Sequence, residues 1–261
     1  MAVGSGWLYT VKINGNDTKA VISKTNKSTG ATTNLKTSSG ASTFNYLGHA
    51  NDMDVASVNG KSNLYIATMK VGAGGLVRME VDGSKITKKA SYKIRYNGAD
   101  TSVSAISVES KTDSKINFLF KKGKTVYRGS IGLNATSGTI NLTKVCTLDV
   151  KSVKINGKTT DLSSFTHQGM GYHKGKLYVP LWAGSSKQNQ SVIAVYNINS
   201  NTSGTITSNP NLSFRITSGS FNFFEIESCD ISSSDGRLYF NTNRSSSCDG
   251  LLAFKNYAVK V

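Results

Sequence analysis

Five times along the chain a short apolar run carrying an aromatic residue stands out from surroundings rich in Ser, Thr, Asn and Gly. These runs are "WLYTVKI" around Tyr9, "NLYIATMKV" around Tyr65, "INFLFKKG" around Phe118, "KLYVPLW" around Tyr178 and "RLYFNTN" around Tyr239. The aromatics are separated by 56, 53, 60 and 61 residues. A second run follows each ("KAVISKT", "GLVRMEV", "TVYRGSI", "SVIAVYN", "GLLAFKN"), and then a third ("ATTNLKT", "ITKKASYKI", "LTKVCTLDV", "NLSFRIT", "YAVKV"). Four units are also preceded by a short segment: "HANDMDVASV", "TSVSAISV", "HQGMGYH" and "FEIESCDIS"; the first unit has only "AVGS" there. β-Branched runs of this length between Gly, Asn and Asp read as strands. A helix over "YLGHANDMDVASV" fails because its apolar positions do not keep a 3.6-residue spacing.

A repeat of this length built from four strands is the arithmetic of an all-β fold, a five-bladed β-propeller with four antiparallel strands per blade. It predicts one domain over residues 1–261, closed by the C-terminal "LLAFKNYAVKV" meeting the first blade. A pair of β-sandwiches is the competitor, but it requires no period carried through five units.

In a propeller the first strand of each blade lines the central channel. The openings of those strands supply His49, Asn51 and Asp52, then Asp100, Thr101 and Ser102, then His167 and Gln168, then Glu225 and Glu227. The ends of the second strands add Lys12, Lys70, Lys121, Trp182, Asn243 and Arg244 at the rim. The predicted ligand-binding set is His49, Asn51, Asp52, Ser102, His167, Gln168, Trp182, Glu225, Glu227, Asn243 and Arg244. The competing role for such polar residues is to hydrogen-bond neighbouring blades, which buried polar groups require.

Charge widens the picture more than it narrows it. Lys and Arg number 31 against 15 acidic residues, a formal charge of +16 spread along the whole chain. Such a charge attracts polyanions in general. Nucleic acid is disfavoured as a partner, because "KKASYKIRY" reads as an edge strand guarded by lysines and matches no nucleic-acid module. No long apolar run predicts a membrane span, and nothing in the spacing predicts an oligomer, so a monomer is expected. The abrupt start on a strand-like segment without a leader predicts a piece excised from a longer, secreted or wall-associated protein.

Three cysteines, Cys146, Cys229 and Cys248, fit neither a disulfide scaffold nor a zinc site. Cys229 is expected opposite Phe240, too far from Cys248 to bridge, so three thiols are expected. No metal is predicted: "DMDVASVNG" starts like a calcium loop but carries Ala56 at the third ligand position and Ser57 where the glycine belongs. No cofactor is predicted, since "VGAGGLV" opens a strand rather than a helix. A glycoside hydrolase would draw its carboxylates from Asp52, Glu225 and Glu227, but no spacing marks one of them as the acid.

The segments "GHANDMDVA…LYIAT", "HQGMGYHKGKLYVPLW" and "FEIES…GRLYFNTN", taken in order, resemble the helveticin J-like proteins of Gram-positive bacteria. On that pattern His49, Gln168, Glu225 and Glu227 occupy matching positions. The resemblance implies a secreted, bacteriocin-like or cell-wall-associated propeller module. The function expected from residues and resemblance together is binding of a cell-wall or cell-surface glycan, anionic or hydroxyl-rich. Glycoside hydrolysis and polyanion binding are the alternatives.

Overall fold

All five aromatic runs are the second strand of an antiparallel meander. The computed structural model describes residues 1–184, 190–217, 223–244 and 250–254; its described residues form strands, turns and bends and no helix. The protein is all-β. The first meander is β1 (Ala2–Val3), β2 (Trp7–Ile13), β3 (Ala20–Asn26) and β4 (Thr32–Asn34). The second is β5 (Asp52–Val58), β6 (Lys61–Ala67), β7 (Leu76–Asp82) and β8 (Lys85–Tyr96), with the short β9 (Ala99–Asp100) turned back on the end of β8. The third is β10 (Ala105–Lys111), β11 (Lys115–Lys122), β12 (Thr125–Gly132) and β13 (Ser137–Leu148).

A small hairpin follows, β14 (Val153–Ile155) with β15 (Lys158–Thr160). The fourth meander opens on two broken pieces, β16 (Thr166–His167) and β17 (Gly171–His173), both paired with β18 (Lys176–Ala183). It continues through β19 (Gln190–Asn197); β20 (Thr205–Ile206) leaves to pair with β13, and β21 (Phe214–Thr217) returns to β19. The fifth is β22 (Glu225–Ile231), β23 (Leu238–Asn243) and β24 (Gly250–Phe254). Residues 255–261, on which the expected closure depends, lie outside the described residues.

Contacts divide the chain into two compact units, Met1–Lys122 with Tyr127–Thr143, and Gly123–Val126 with Lys144–Val261. In the first unit the meanders pack across two cores. Tyr9, Ile22 and Phe44 meet Met53, Leu64 and Val77 in one. Tyr65, Tyr92 and Ile94 meet Ile106, Phe118 and Phe120 in the other. In the second unit Tyr178, Ile193 and Val195 meet Phe224, Ile226, Cys229 and Phe240. The aromatics that mark the repeat, Tyr9, Tyr65, Phe118, Tyr178 and Tyr239, are all buried. Burial of that apolar surface is what selects an aromatic there.

Two-residue turns set the register. Asn59-Gly60 joins Val58 to Lys61 with φ of 51° and 76°, the left-handed pair a tight hairpin needs. One feature departs from five separate sheets. Ser137–Leu142 of β13 pairs parallel with Ser91–Tyr96 of β8, so the second and third meanders form one continuous sheet. Both strands run to 12 residues, long enough to overhang their own meanders and cover each other's open edge.

Candidate functional site

The segment "THQGMGYH" is a strand interrupted on purpose. Thr166 and His167 lie opposite Trp182 and Leu181 at one end of β18, and pairing resumes only at Gly171, opposite Tyr178. Between them the chain bends toward β22. The Gly169 N–H donates to the Glu227 carbonyl at 2.8 Å, and the Gln168 N–H to the Pro180 carbonyl at 3.1 Å. At Gly171 the backbones come so close that a Cβ would stand 2.5 Å from the Cys229 carbonyl oxygen. Only glycine permits that approach.

β22 bends as well. Opposite β23 its register slips between Ile226 and Ser228, so Glu227 is an extra residue in the ladder. Bulges of this kind re-aim a side chain. The Gln168 amide, buried, donates to Glu225 Oε1. Asn243 Nδ2 donates to Glu225 Oε2 at 3.4 Å. The Glu227 carboxyl stands near enough to that of Glu225 for its charge to be felt.

Burial raises both acids above the ordinary glutamate range. Glu227 is pushed up to about 7, by burial first and then by the negative charge of Glu225. Glu225 is also raised by burial, against the opposing bonds from Gln168 and Asn243. Burial and the neighbouring negative charge both disfavour the doubly ionised pair.

Aromatic surface adjoins this network. The rings of Trp182 and Phe223, both half-buried, lie 4.8 Å apart at 49°. The Arg244 guanidinium sits 5.9 Å from the ring of Phe224, and its Nε donates to Thr242 Oγ1 at 3.1 Å. His167 is half-buried beside Gln168. Thus seven residues expected at the site (His167, Gln168, Trp182, Glu225, Glu227, Asn243 and Arg244) lie at linked strand ends of the second unit. Phe223 and Ser191 were not foreseen. The Ser191 hydroxyl donates to the Phe224 carbonyl at 2.9 Å and accepts from the Ile226 N–H at 3.1 Å, tying β19 to the start of β22. A serine inside an apolar strand run was the only signal.

The four expected residues of the first unit do different work. Asp52 was expected at the ligand surface and is instead fully buried. It accepts the Ile106 N–H at 3.1 Å and lies 3.6 Å from the Met1 amine. Lys121, expected at the rim, is buried as well; burial lowers it to about 8 although Asp52 opposes the shift. Asp54 accepts from the Ser107 hydroxyl at 2.9 Å and from the Val108 N–H at 2.5 Å. Two carboxylates on one strand thereby cap the backbone of the next meander. Asn51 donates to the Ser104 carbonyl at 2.6 Å, which also makes it a tie between meanders rather than a ligand contact. Ser102 is half-buried and stands in the β9–β10 connection, not at a strand opening.

His49 alone of these four opens to a hollow. Its Nδ1 lies 3.0 Å from Asp17 Oδ2, and both side chains are close to half exposed. The hollow is about 460 Å³ and is lined by Asp17, Gly48, His49, Thr68, Met69 and Lys70.

Among the described residues no three His, Cys, Asp or Glu side chains gather as metal ligands would. Cys146 and Cys229 are buried, and Cys229 lies opposite Phe240 as the register predicted. Cys248 lies outside the described residues, and with it the question of a bridge.

No family model matches the chain, and no curated protein does. Solved structures resemble it loosely. A protein from Lactobacillus plantarum is 11% identical with a TM-score of 0.42, covering 94% of this chain and 80% of its own. The β-xylosidase RS223 is 10% identical at 0.40, covering 96% and 92%. The catalytic domain of the Coprinopsis cinerea GH62 α-L-arabinofuranosidase is 7% identical at 0.36, covering 95% and 89%. Likeness at this level carries no argument about function.

Proposed function

We propose that this chain is a five-bladed propeller that binds a cell-wall or cell-surface glycan, with its main site at the linked ends of the fourth and fifth meanders. The observation that carries the reading is the Gln168–Glu225–Asn243 network, with Glu227 beside it, adjoining the Trp182–Phe223 pair. A sugar presents an apolar face and a rim of hydroxyls; aromatic rings take the first and a fixed set of amides and carboxyls takes the second. The five meanders and their period support the blade count. A wall-associated location and membership of the helveticin J-like group are parts of the same proposal.

The carboxyl pair favours binding over turnover. A glycoside hydrolase keeps its two carboxyls roughly 5–10 Å apart so that a sugar carbon or a water fits between them. Glu225 instead has both carboxyl oxygens engaged, one by Gln168 and one by Asn243. A glycan array read alongside a pull-down with sedimented walls tests the reading. Retention on walls without release of reducing ends supports it; release of reducing ends that Glu227→Gln abolishes replaces it with hydrolysis. Binding to nucleic acid alone replaces it with the polyanion reading.

A further inference from the structure

Asp17, Ala50 and Met69 adopt a backbone conformation that L-residues avoid, with φ of 57°, 45° and 59°. The other described non-glycine residues with positive φ are Asn59, Asn97, Asn156 and Lys174, and each precedes a glycine in a tight turn that demands it. Asp17 and Ala50 close turns, their N–H groups donating to the Asn14 and Leu47 carbonyls at 3.1 and 3.2 Å, and Met69 lies in the loop that follows β6. Asp17 and Met69 line the hollow around His49, and Ala50 follows His49 in the chain. At Met69 the positive φ survives only because its surroundings enforce it.

The side chains of the hollow are fixed in place. Asp17 holds Nδ1 of His49, leaving Nε2 as the group to be offered outward. Lys70 donates to the Tyr46 carbonyl at 3.2 Å and has two further N–H bonds to give. Its stem crosses Gly48, where a Cβ would fall 2.9 Å from Lys70 Cε, so glycine there admits the lysine. Met69, 41% exposed, adds an apolar wall, and Val71, 63% exposed, follows in the same loop. An ammonium and an imidazole beside an apolar wall match a ligand with one oxyanion and a hydrocarbon body. The adverse carboxylate, Asp17, is already engaged by the imidazole. The volume lies within the roughly 300–1,000 Å³ of small-molecule sites.

We propose that this hollow binds the phosphate-bearing unit of a sugar- or polyol-phosphate ligand. The phosphate bridges the Lys70 ammonium and the His49 imidazole, and the carbon body lies on Met69. This site is built from first-unit residues alone and does not rest on the reading of the second unit.

The test is an NMR titration of the three imidazoles of the full chain at pH 6, with His49 assigned through His49→Gln. Glycerol 1-phosphate is the probe and glycerol its neutral control. The expected result is a saturating shift of His49 alone, absent with glycerol. Lys70→Met, which keeps the stem over Gly48, is expected to weaken binding about tenfold, as loss of one charge-assisted hydrogen bond does. Lys70→Arg restores the charge and separates its loss from any loss of fold. A shift of equal size with glycerol, no saturating shift, or unchanged affinity in Lys70→Met overturns the proposal. So does a single-stranded oligonucleotide that shifts His49 where glycerol 1-phosphate does not.

Discussion

The amide of Gln168 donates to the carboxylate of Glu225 across 57 residues of chain, joining the opening of the fourth meander to that of the fifth. Both groups are buried, so each satisfies a demand the other creates. Gln168→Leu removes the donor, keeps the volume and leaves Glu225 with Asn243 as its amide partner. A loss of about 1–3 kcal/mol in urea unfolding is expected. A change below about 0.5 kcal/mol would show that the bond does not tie the meanders together.

The acid pair sets a pH dependence whose sign follows from its shifts. Glu227 moves from 4.5 in the unfolded chain to about 7 in the folded one. Between those values the folded protein holds more protons, so the stability this group supplies is full below about 4.5 and is lost as pH rises through about 7. Asp54, raised from 3.8 to about 6 by burial, acts in the same sense. Lys121, lowered from 10.5 to about 8, acts oppositely, adding stability as pH rises between those values. Melting temperatures of Glu227→Gln across pH 4 to 8 are expected to fall less steeply than those of the unsubstituted chain. Parallel curves would assign the slope to other groups.

Buried Asp52 lies 3.6 Å from the Met1 amine, and its charge also acts on the buried Lys121. Asp52→Asn strands a buried ammonium and is expected to cost about 3–5 kcal/mol, as breaking a buried ion pair does. Adding Lys121→Met to it removes the stranded charge and is expected to recover part of that loss. If the double substitution is the less stable of the two, the charges are not coupled.

Gly171 faces the Cys229 carbonyl too closely for any side chain. Gly171→Ala must push β17 off β22 and is expected to destabilise by about 1–3 kcal/mol. Gln168, three residues earlier, is expected to loosen with it. A neutral substitution, read by thermal unfolding, would mean that the two meanders stand farther apart than described.

The repeat was legible because burial forces an aromatic or large apolar residue into the same strand position of each unit, as at Tyr65, Phe118 and Tyr178. The second-unit site was legible for a related reason: "HQG" and "E-E" interrupt apolar runs where no turn is needed. Asp52 and Lys121 misled because buried charges and ligand-facing ones carry the same letters. The β8–β13 pairing left no trace either, since an edge strand reads alike whether open or covered. Asp17 lies in a polar loop, and only the folded backbone brings it to His49.

The central claim is that Trp182 and the Gln168–Glu225 network bind glycan without cleaving it. The most direct measurement is an affinity titration of Trp182→Ala against a glycan selected on the array, with its melting curve taken beside it. The account predicts a loss of about 2 kcal/mol, roughly thirty-fold in affinity, with folding preserved and no reducing ends released by either protein. Unchanged affinity in a folded Trp182→Ala protein would contradict it.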